Sequence, residues 1–449
     1  MRETIAGGVR AVSPAAPVPS PSSRGRATRE KLLKVARGLF ARKGFRSVTL
    51  PDLARAARLS PGAPYQHFKG KEQIFAELAS GFGQALAERL ERAMGPMPAK
   101  RRWRQVYGAL LAAFEAERDL FALFREAEFA VGSSPHDSLL PVVNRLEELV
   151  VRHREDAGLS ASEPAAQENR VMAWCLFSLA YFPAVTGSLW REPGASPSEV
   201  VACELARFAE RGLGVPAAPQ SGRASPVWES KHLPAPKDEL ALGAPSIPAA
   251  ERILAAAEQL FARKGFALTT VSAIARLARV PDAAVSAHFG SKEGLLARVV
   301  SRIRGDLVAL VARAAAGLEH RAAVEDASLL AFFEFLRARP GVYRIVREAE
   351  FVVPGDGRDY YRSLMAPYAA GLAKARAAGQ LRTRNPRVTA QALMGLGHWL
   401  GLLVMVEGAL RPVEAVEIVR RFLRAGLGSL KPAFSSPGRP ERSNRRRKK

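Results

Sequence analysis

The acidic pairs Glu126/Glu128 and Glu348/Glu350 are the nearest this sequence comes to the paired carboxylates of general acid–base chemistry. Their i, i+2 spacing turns the two carboxylates to different sides of a helix, so neither pair forms an acid–base couple. The seven histidines are scattered, and no Cys/His cluster has metal-ligand spacing. No G-x-S-x-G elbow and no glycine-rich phosphate loop occurs. Cys175 and Cys203 stand in apolar helical surroundings and are expected as buried free thiols in a reducing cytoplasm. The expected inventory is therefore no catalytic residue, no metal and no cofactor, which leaves binding as the role to explain.

The same carboxylates belong to a motif that occurs twice, REAEF at Arg125 to Phe129 and at Arg347 to Phe351. On a helix Arg125 and Glu128, and likewise Arg347 and Glu350, are i, i+3 neighbours. One reading is a local ion pair at a helix end; the other is a polar contact inside a ligand pocket.

Charge narrows the partner. The chain of 449 residues has a formal net charge of +24. That excess points to a polyanion, nucleic acid first and an acidic membrane surface second. A GC-rich genome also inflates Arg and Ala and accounts for part of it. No membrane partner is expected. The longest apolar run, Ala392 to Val406, is interrupted by His398, and it is shorter than the roughly 18 residues of a spanning helix. No apolar leader core is visible in the first residues.

The elements that must present this charge are helical. Apolar residues make up 48% of the chain and aromatics only 7%, and period-3.6 patterns dominate with almost no strand alternation. FARKGF at Phe40 to Phe45 recurs letter for letter at Phe261 to Phe266. The surrounding 45 or so residues align without a gap at a constant offset of 221, and REAEF follows at 222. RFAERGLG (Arg207 to Gly214) then meets RFLRAGLG (Arg421 to Gly428) at 214. Three matches in one order mean that a whole domain is duplicated.

Within the first repeat, Leu32, Leu33, Ala36, Leu39 and Phe40 line one face of a helix, with Gly44 as its C-cap. Thr49 and Asp52 form a capping-box-like pair for a short helix over Leu50 to Ala57. A tight connection follows at Arg58–Leu59. Ser60 is expected to cap a third helix with Pro61 at its first position. Two short helices across a tight turn, with a third behind them, make a helix-turn-helix, whose second helix enters the major groove.

The pattern F-x-x-x-G-F, then T, then A-x-x-A-x-x-S-x-G-x-x-Y-x-H-F-x-x-K-E resembles the TetR family of bacterial repressors. The resemblance implies an all-α fold of two consecutive TetR-like units. Each has a three-helix DNA-binding domain followed by a helical ligand-binding and dimerisation domain. The expected boundaries are a disordered segment 1–25, helix-turn-helix domain 26–80 and helical domain 81–214. A linker 215–247, helix-turn-helix domain 248–301, helical domain 302–430 and a basic disordered tail 431–449 follow.

The resemblance also assigns roles. Thr49, Tyr65, His67 and Lys71 would hold phosphates, while Pro61, Gly62, Ala63 and Gln66 would face base edges. In the second repeat Thr270, His288 and Lys292 are kept, Ser286 stands where Tyr65 does, and Asp282 replaces Pro61. Residues 28–80 carry 11 basic and 4 acidic side chains, net +7, against 7 and 4, net +3, over 249–301. The first head is thus the stronger expected reader, and Asp282 is either a negative charge near DNA or a helix N-cap. The partners implied are a double-stranded operator and a small hydrophobic effector. Pairing would be within one chain as a pseudo-dimer, or between two chains as a homodimer. The pairing segments would be Asn169 to Trp190 with Ser198 to Gly212, and Pro386 to Glu407 with Pro412 to Gly426. Candidate ligand contacts are Trp103, Tyr107, Phe124, Glu128, Trp174 and Phe177 in the first repeat, and Tyr343, Glu350, His398 and Trp399 in the second. Aromatics at helical spacing also fit a plain core. The competing function is a ligand-sensing or scaffold protein in which one or both helix-turn-helix units no longer bind DNA.

Overall fold

The computed structural model describes residues 23–45, 47–94, 101–127, 135–158, 165–213, 247–403 and 412–428. Glu128, the linker up to residue 246 and the basic tail lie outside them, as does the chain before residue 23. Among the described residues every regular element is helical. They form two bodies, the first ending at Ile74 and the second beginning at Phe75.

The first body holds α1 (Ser23–Lys43), α2 (Leu50–Ala56), α3 (Ala63–His67) and the start of α4 (Lys71–Ala93). Leu32, Ala36, Leu39 and Phe40 of α1 are buried, as the amphipathic pattern requires. Gly44 ends the helix at φ +76°, a conformation that an L side chain resists. Thr49 and Asp52 make a complete capping box at the start of α2. The turn into α3 passes through Arg58 at φ +52°. The third helix begins later than expected. Ser60, Pro61 and Gly62 form a turn closed by the Ala63 amide on the Ser60 carbonyl (3.0 Å), and Gly62 is the N-cap. Pro64, not Pro61, takes the early helical position where no amide donor is needed.

The second body contains the second trio of short helices. These are α10 (Ala249–Leu268), α11 (Val271–Ala278) and α12 (Asp282–Phe289), followed by α13 (Lys292–Ala315). Gly265, at φ +78°, breaks α10 at the place equivalent to Gly44. Arg279 repeats the left-handed turn residue at φ +53°. Here the third helix does start at the equivalent of Pro61, with Pro281 as N-cap and Asp282 in the first turn.

The two helical domains are also in the second body. Beside the rest of α4, the first comprises α5 (Arg102–Ala116), α6 (Arg118–Ala127), α7 (Pro135–Asp156), α8 (Ala165–Ala184) and α9 (Ser198–Leu213). After α13 the second comprises α14 (Arg321–Ala338), α15 (Val342–Val352), α16 (Pro354–Ala377), α17 (Pro386–Gly401) and α18 (Pro412–Leu427). A π-turn, Val185–Leu189, continues α8 just after Pro183, whose missing amide weakens the normal ladder there. Helix α8 with this turn is apolar and long enough to cross a membrane, but 94% of its apolar window is buried inside the protein. It is a core helix.

The last two helices of each repeat pack together, α8 against α17 and α9 against α18. The α8–α17 crossing is close: a Cβ on Gly395 would lie 2.1 Å from the Ser178 carbonyl oxygen. At α9–α18 the contacts are reciprocal. The Phe422 ring fills the space beside Gly212, and the Phe208 ring fills the space beside Gly426. Those four residues are the same two positions of RFAERGLG and RFLRAGLG. A residue i on j matched by j on i is the signature of a two-fold arrangement. Polar groups lock the seam. Glu204, buried, accepts from the Thr383 hydroxyl (2.7 Å) and the Arg384 amide (2.9 Å), and Gln391 donates to Thr186 (2.9 Å).

Candidate nucleic-acid interface and cavity

On α3 the buried residue is Pro64, and Phe68 just after the helix is buried with it, the Arg29 guanidinium lying over the Phe68 ring at 4.9 Å. The opposite side is open. Tyr65 is 60% exposed, and Pro61, Gly62 and Gln66 are exposed with it. Ala63 and His67 are half-buried at its margin, and Thr49 is exposed at the start of α2. An aromatic ring held out to solvent on a short, well-anchored helix has nothing within its own domain to bury against. Pro61, Gly62, Tyr65 and Gln66 are therefore the open candidates around α3, and Thr49 is exposed separately at the cap of α2.

Lys71 does not fit the phosphate role. Its Nζ donates to the carbonyls of Phe45 (3.1 Å) and Val48 (3.0 Å) and lies over the Phe45 ring at 4.7 Å. Lys292 does the same with Phe266 (3.1 Å), Thr269 (3.0 Å) and the Phe266 ring at 4.1 Å. Each lysine clamps the start of the fourth helix to the loop after the first. The ammonium satisfies loop carbonyls that would otherwise lack donors. Spacing alone did not reveal this, because a clamp and a phosphate contact ask for the same residue.

In the second repeat Thr270 caps α11 by accepting from the Ala273 amide (3.1 Å). Ser286 and His288 are exposed on α12, and Val285 is its buried anchor. Asp282 is not the N-cap; its carboxylate accepts from the Ser272 hydroxyl and ties α12 to α11. The charge nonetheless stays exposed at the head of the helix.

The candidate ligand residues divide sharply. In the first repeat Trp103, Tyr107, Phe124, Trp174 and Phe177 are all core. The Trp103 indole N–H meets His153 Nδ1 (3.3 Å), and the Tyr107 hydroxyl donates to the Leu176 carbonyl (3.2 Å). Phe82 packs on Phe121 and Phe124, each at 5.4 Å, and Phe114 on Phe121 at 4.7 Å. Trp399, expected as a ligand contact of the second repeat, instead joins this cluster, 5.7 Å from Trp174 and 6.1 Å from Phe124.

The second repeat holds a partly open cavity of about 470 Å³, walled by α13, α14, α15, α16 and α17, with Leu423 of α18 and Phe182 of α8 in the first repeat completing the lining. Phe332, Phe335, Leu336, Val346, Leu364 and Met394 give it an apolar lining. Of the sequence candidates, Tyr343 and His398 are in the wall, and Tyr343 donates to the His398 carbonyl (2.8 Å). Equivalent positions explain the difference. Val346 replaces Phe124 at offset 222, and Ile303 replaces Phe82 at 221. Ser178 and Gly395 face each other across the crossing, and their offset of 217 puts Met394 where the first repeat has Phe177. Three aromatic rings give way to smaller side chains.

Glu350 lies outside this cavity wall. It is the hub of an ion cluster between the repeats. Arg125 Nη2 donates to both of its oxygens (2.8 and 2.6 Å), and Arg347 Nη1 pairs with it as well. Arg347 Nη2 also donates to the Arg125 carbonyl (3.1 Å). Arg125 and Glu350 are 1% and 4% exposed in their side chains, so the pair is shielded from solvent. Burial pushes the Glu350 carboxyl up, but the Arg125 and Arg347 charges outweigh it and hold the group below its ordinary value. The local Arg347–Glu350 pair was legible as i, i+3; its extension to α6 of the other repeat was not.

Helix α15 has two working sides. Tyr343, Val346 and Arg347 line the cavity, with Glu350 one turn further along. Arg344 and Glu348, i and i+4, reach the break in α10. Arg344 donates to the Arg263 carbonyl (3.2 Å), and Glu348 accepts from the Phe266 amide (2.6 Å). Gly265 is needed there twice: φ is +78°, and a Cβ would lie 2.8 Å from the Glu348 carboxylate.

Two segments, residues 32–78 and 253–299, match the family described as bacterial regulatory proteins, tetR family. The chain thus carries the DNA-binding segment of this family twice, 221 positions apart, which supports a tandem duplication of TetR-type units. Among curated relatives, the helix-turn-helix-type transcriptional repressor KstR2 of Mycolicibacterium smegmatis is 32% identical over 102 residues, 22% of this chain and 47% of that protein. The regulator AcrR of Shigella flexneri is 43% identical over 51 residues, 11% of this chain and 24% of that one. The chain thus spans about half the length, or less, of these relatives. A solved TetR-family regulator from Rhodococcus aligns with 40% of this chain and 98% of its own at 17% identity, with a TM-score of 0.37.

Proposed function

We propose that this chain is a DNA-binding transcriptional regulator of the cytoplasm, a ligand-responsive repressor whose two TetR-type units pair with each other as a pseudo-dimer. The observation that carries the DNA reading is the open face of α3, where Tyr65 and Gln66 stand out from a helix anchored by Pro64 and Phe68. Gln66 suits a bidentate contact to adenine and Ala63 a thymine methyl. Thr49, Tyr65 and His67 hold phosphates beside Pro61, Gly62 and Ala63, which approach base edges. Thr270, Ser286 and His288 make the second, weaker set, since Asp282 brings a negative charge to that helix. The repressor names of relatives such as KstR2 support the sign of regulation.

The pairing within one chain rests on the reciprocal Phe208–Gly426 and Phe422–Gly212 contacts. The domain boundaries proposed are those expected above, with the helix-turn-helix units at 26–80 and 248–301. The effector is a small hydrophobic molecule, for which the cavity of the second repeat is the candidate site.

Selection of duplexes from random sequence, followed by binding titrations in defined salt, tests this reading. The expected result is a site whose two halves differ, because PGAPYQHF and DAAVSAHF differ. A chain that selects no sequence, and binds duplex only through its net charge, would overturn it.

A further inference from the structure

The cavity of the second repeat meets the buried cluster at Glu350 through two wall residues, Arg347 and Tyr361, both of which hydrogen-bond the Glu350 carboxylate. The charged groups of the wall, Arg321, Glu325 and Arg347, are already paired within the protein. Arg321 Nε donates to Glu325 (2.7 Å), Tyr368 donates to the other Glu325 oxygen (2.5 Å), and Tyr343 donates to the His398 carbonyl (2.8 Å). Arg347 is held by Glu350 and the Arg125 carbonyl. A charged ligand would have to break one of these buried pairs, and an unpaired buried charge is costly. The matching region of the first repeat is occupied by the rings of Phe82, Phe114, Phe121 and Phe124.

The geometry points to effector sensing that is divided between the repeats. An uncharged, largely hydrocarbon molecule binds in the second repeat, and the first repeat receives the signal at α6 through the Arg347–Glu350–Arg125 bridge. This rests on the reading of the chain as a ligand-responsive regulator and specifies where that response begins and how it crosses. A molecule seated against Val346 and Tyr343 bears on the same turn of α15 that carries Arg347. Any shift of that turn moves Glu350 against Arg125, because both oxygens of the carboxylate are held by one guanidinium nitrogen. A packed, ion-paired contact of this kind transmits small displacements rather than absorbing them.

The full chain should be titrated with N-phenyl-1-naphthylamine, a neutral apolar fluorophore, and with 8-anilinonaphthalene-1-sulfonate, the same skeleton bearing a sulfonate. The expected result is one saturable site per chain for the neutral probe, with the sulfonate at least about tenfold weaker. Val346→Phe, which restores the residue of the first repeat, is expected to weaken the neutral probe by at least about tenfold. Met394→Phe makes the same test if that variant does not fold. Two equivalent sites per chain, tighter binding of the sulfonate, or binding indifferent to both fillings would overturn the assignment.

Hydrogen exchange on the same samples tests the crossing. Saturating neutral probe is expected to change exchange in Arg118 to Ala127 by about threefold or more in the wild type. Glu350→Gln should keep probe affinity within about threefold yet lose that remote change. Arg125→Met carries the same expectation from the other side. No change in α6 with the probe bound, or a change that survives both substitutions, would overturn the bridge. DNA is absent from both readouts, so this failure is separate from any failure of operator binding.

Discussion

The interiors of the two helical domains descend from one pattern and have become opposites. The first is closed by phenylalanines at 82, 114, 121 and 124, with a tryptophan of the second repeat added to it. The second keeps Phe335 opposite Phe114 but has Ile303, Val346 and Met394 where rings were, and it holds about 470 Å³ of space. Duplication within one chain makes this possible. A homodimer must carry the same interior twice, whereas two linked repeats can let one become a rigid support and the other a receptor.

The comparison breaks most severely at the element the two interiors share. Glu350→Ala removes the carboxylate between Arg125 and Arg347 and leaves buried guanidinium groups without it. The expected loss is about 3–5 kcal/mol in chemical denaturation. Removing Glu148 from its exposed pair with Arg145 should cost no more than about 1 kcal/mol. Equal losses would mean that the bridge is solvated in practice.

Next in size is an exchange of the two interiors. Phe124→Val should cost about 2–4 kcal/mol, because it opens a hole in a filled core. Val346→Phe should fall within about 1 kcal/mol of the parent, because it enters existing space. Thermal melts of the two variants decide this, and a reversed order would contradict the account of the cavity.

The reading heads offer a third contrast. Tyr65→Ala is expected to weaken binding to the selected operator by about tenfold or more, and Ser286→Ala by less than about threefold. Similar losses would make the two heads equal partners. Lys71→Met sharpens the same comparison. If the lysine is a clamp, its loss lowers thermal stability and leaves the salt dependence of DNA binding unchanged; a flatter salt slope would restore the phosphate role.

The smallest effect is on pH. The folded Glu350 carboxyl lies below its ordinary value of 4.5 because the two arginines outweigh its burial. Its stabilisation is therefore complete above about pH 4.5 and is lost as pH falls through the lower folded value. Glu350→Gln should flatten that acid limb of the stability curve, and an unchanged limb would assign it to other carboxylates.

The duplication, the helical class and the helix-turn-helix were legible because they depend on local features: period-3.6 faces, the Thr49 capping box and the glycines at 44 and 265. The start of α3 was missed because two prolines three residues apart both fit a first turn, and only the fold chooses Pro64. Lys71 and Lys292 were assigned outward because residue type does not say which way an ammonium points. The filled core of the first repeat is illegible for a related reason: Trp103, Tyr107 and Phe177 lie at helical spacing that suits a core and a cavity alike. For Glu350 the spacing offers a local pair with Arg347 or a pocket contact, and the contact with Arg125 is illegible because it spans 225 positions of the chain.

The proposed pseudo-dimer requires that one chain supply both halves of a DNA-binding unit. Light scattering on the complex with a selected operator tests it most directly. The account predicts one 48.5 kDa chain on one asymmetric site. Two chains on a perfect palindrome, with the first repeat reading both halves, would contradict it.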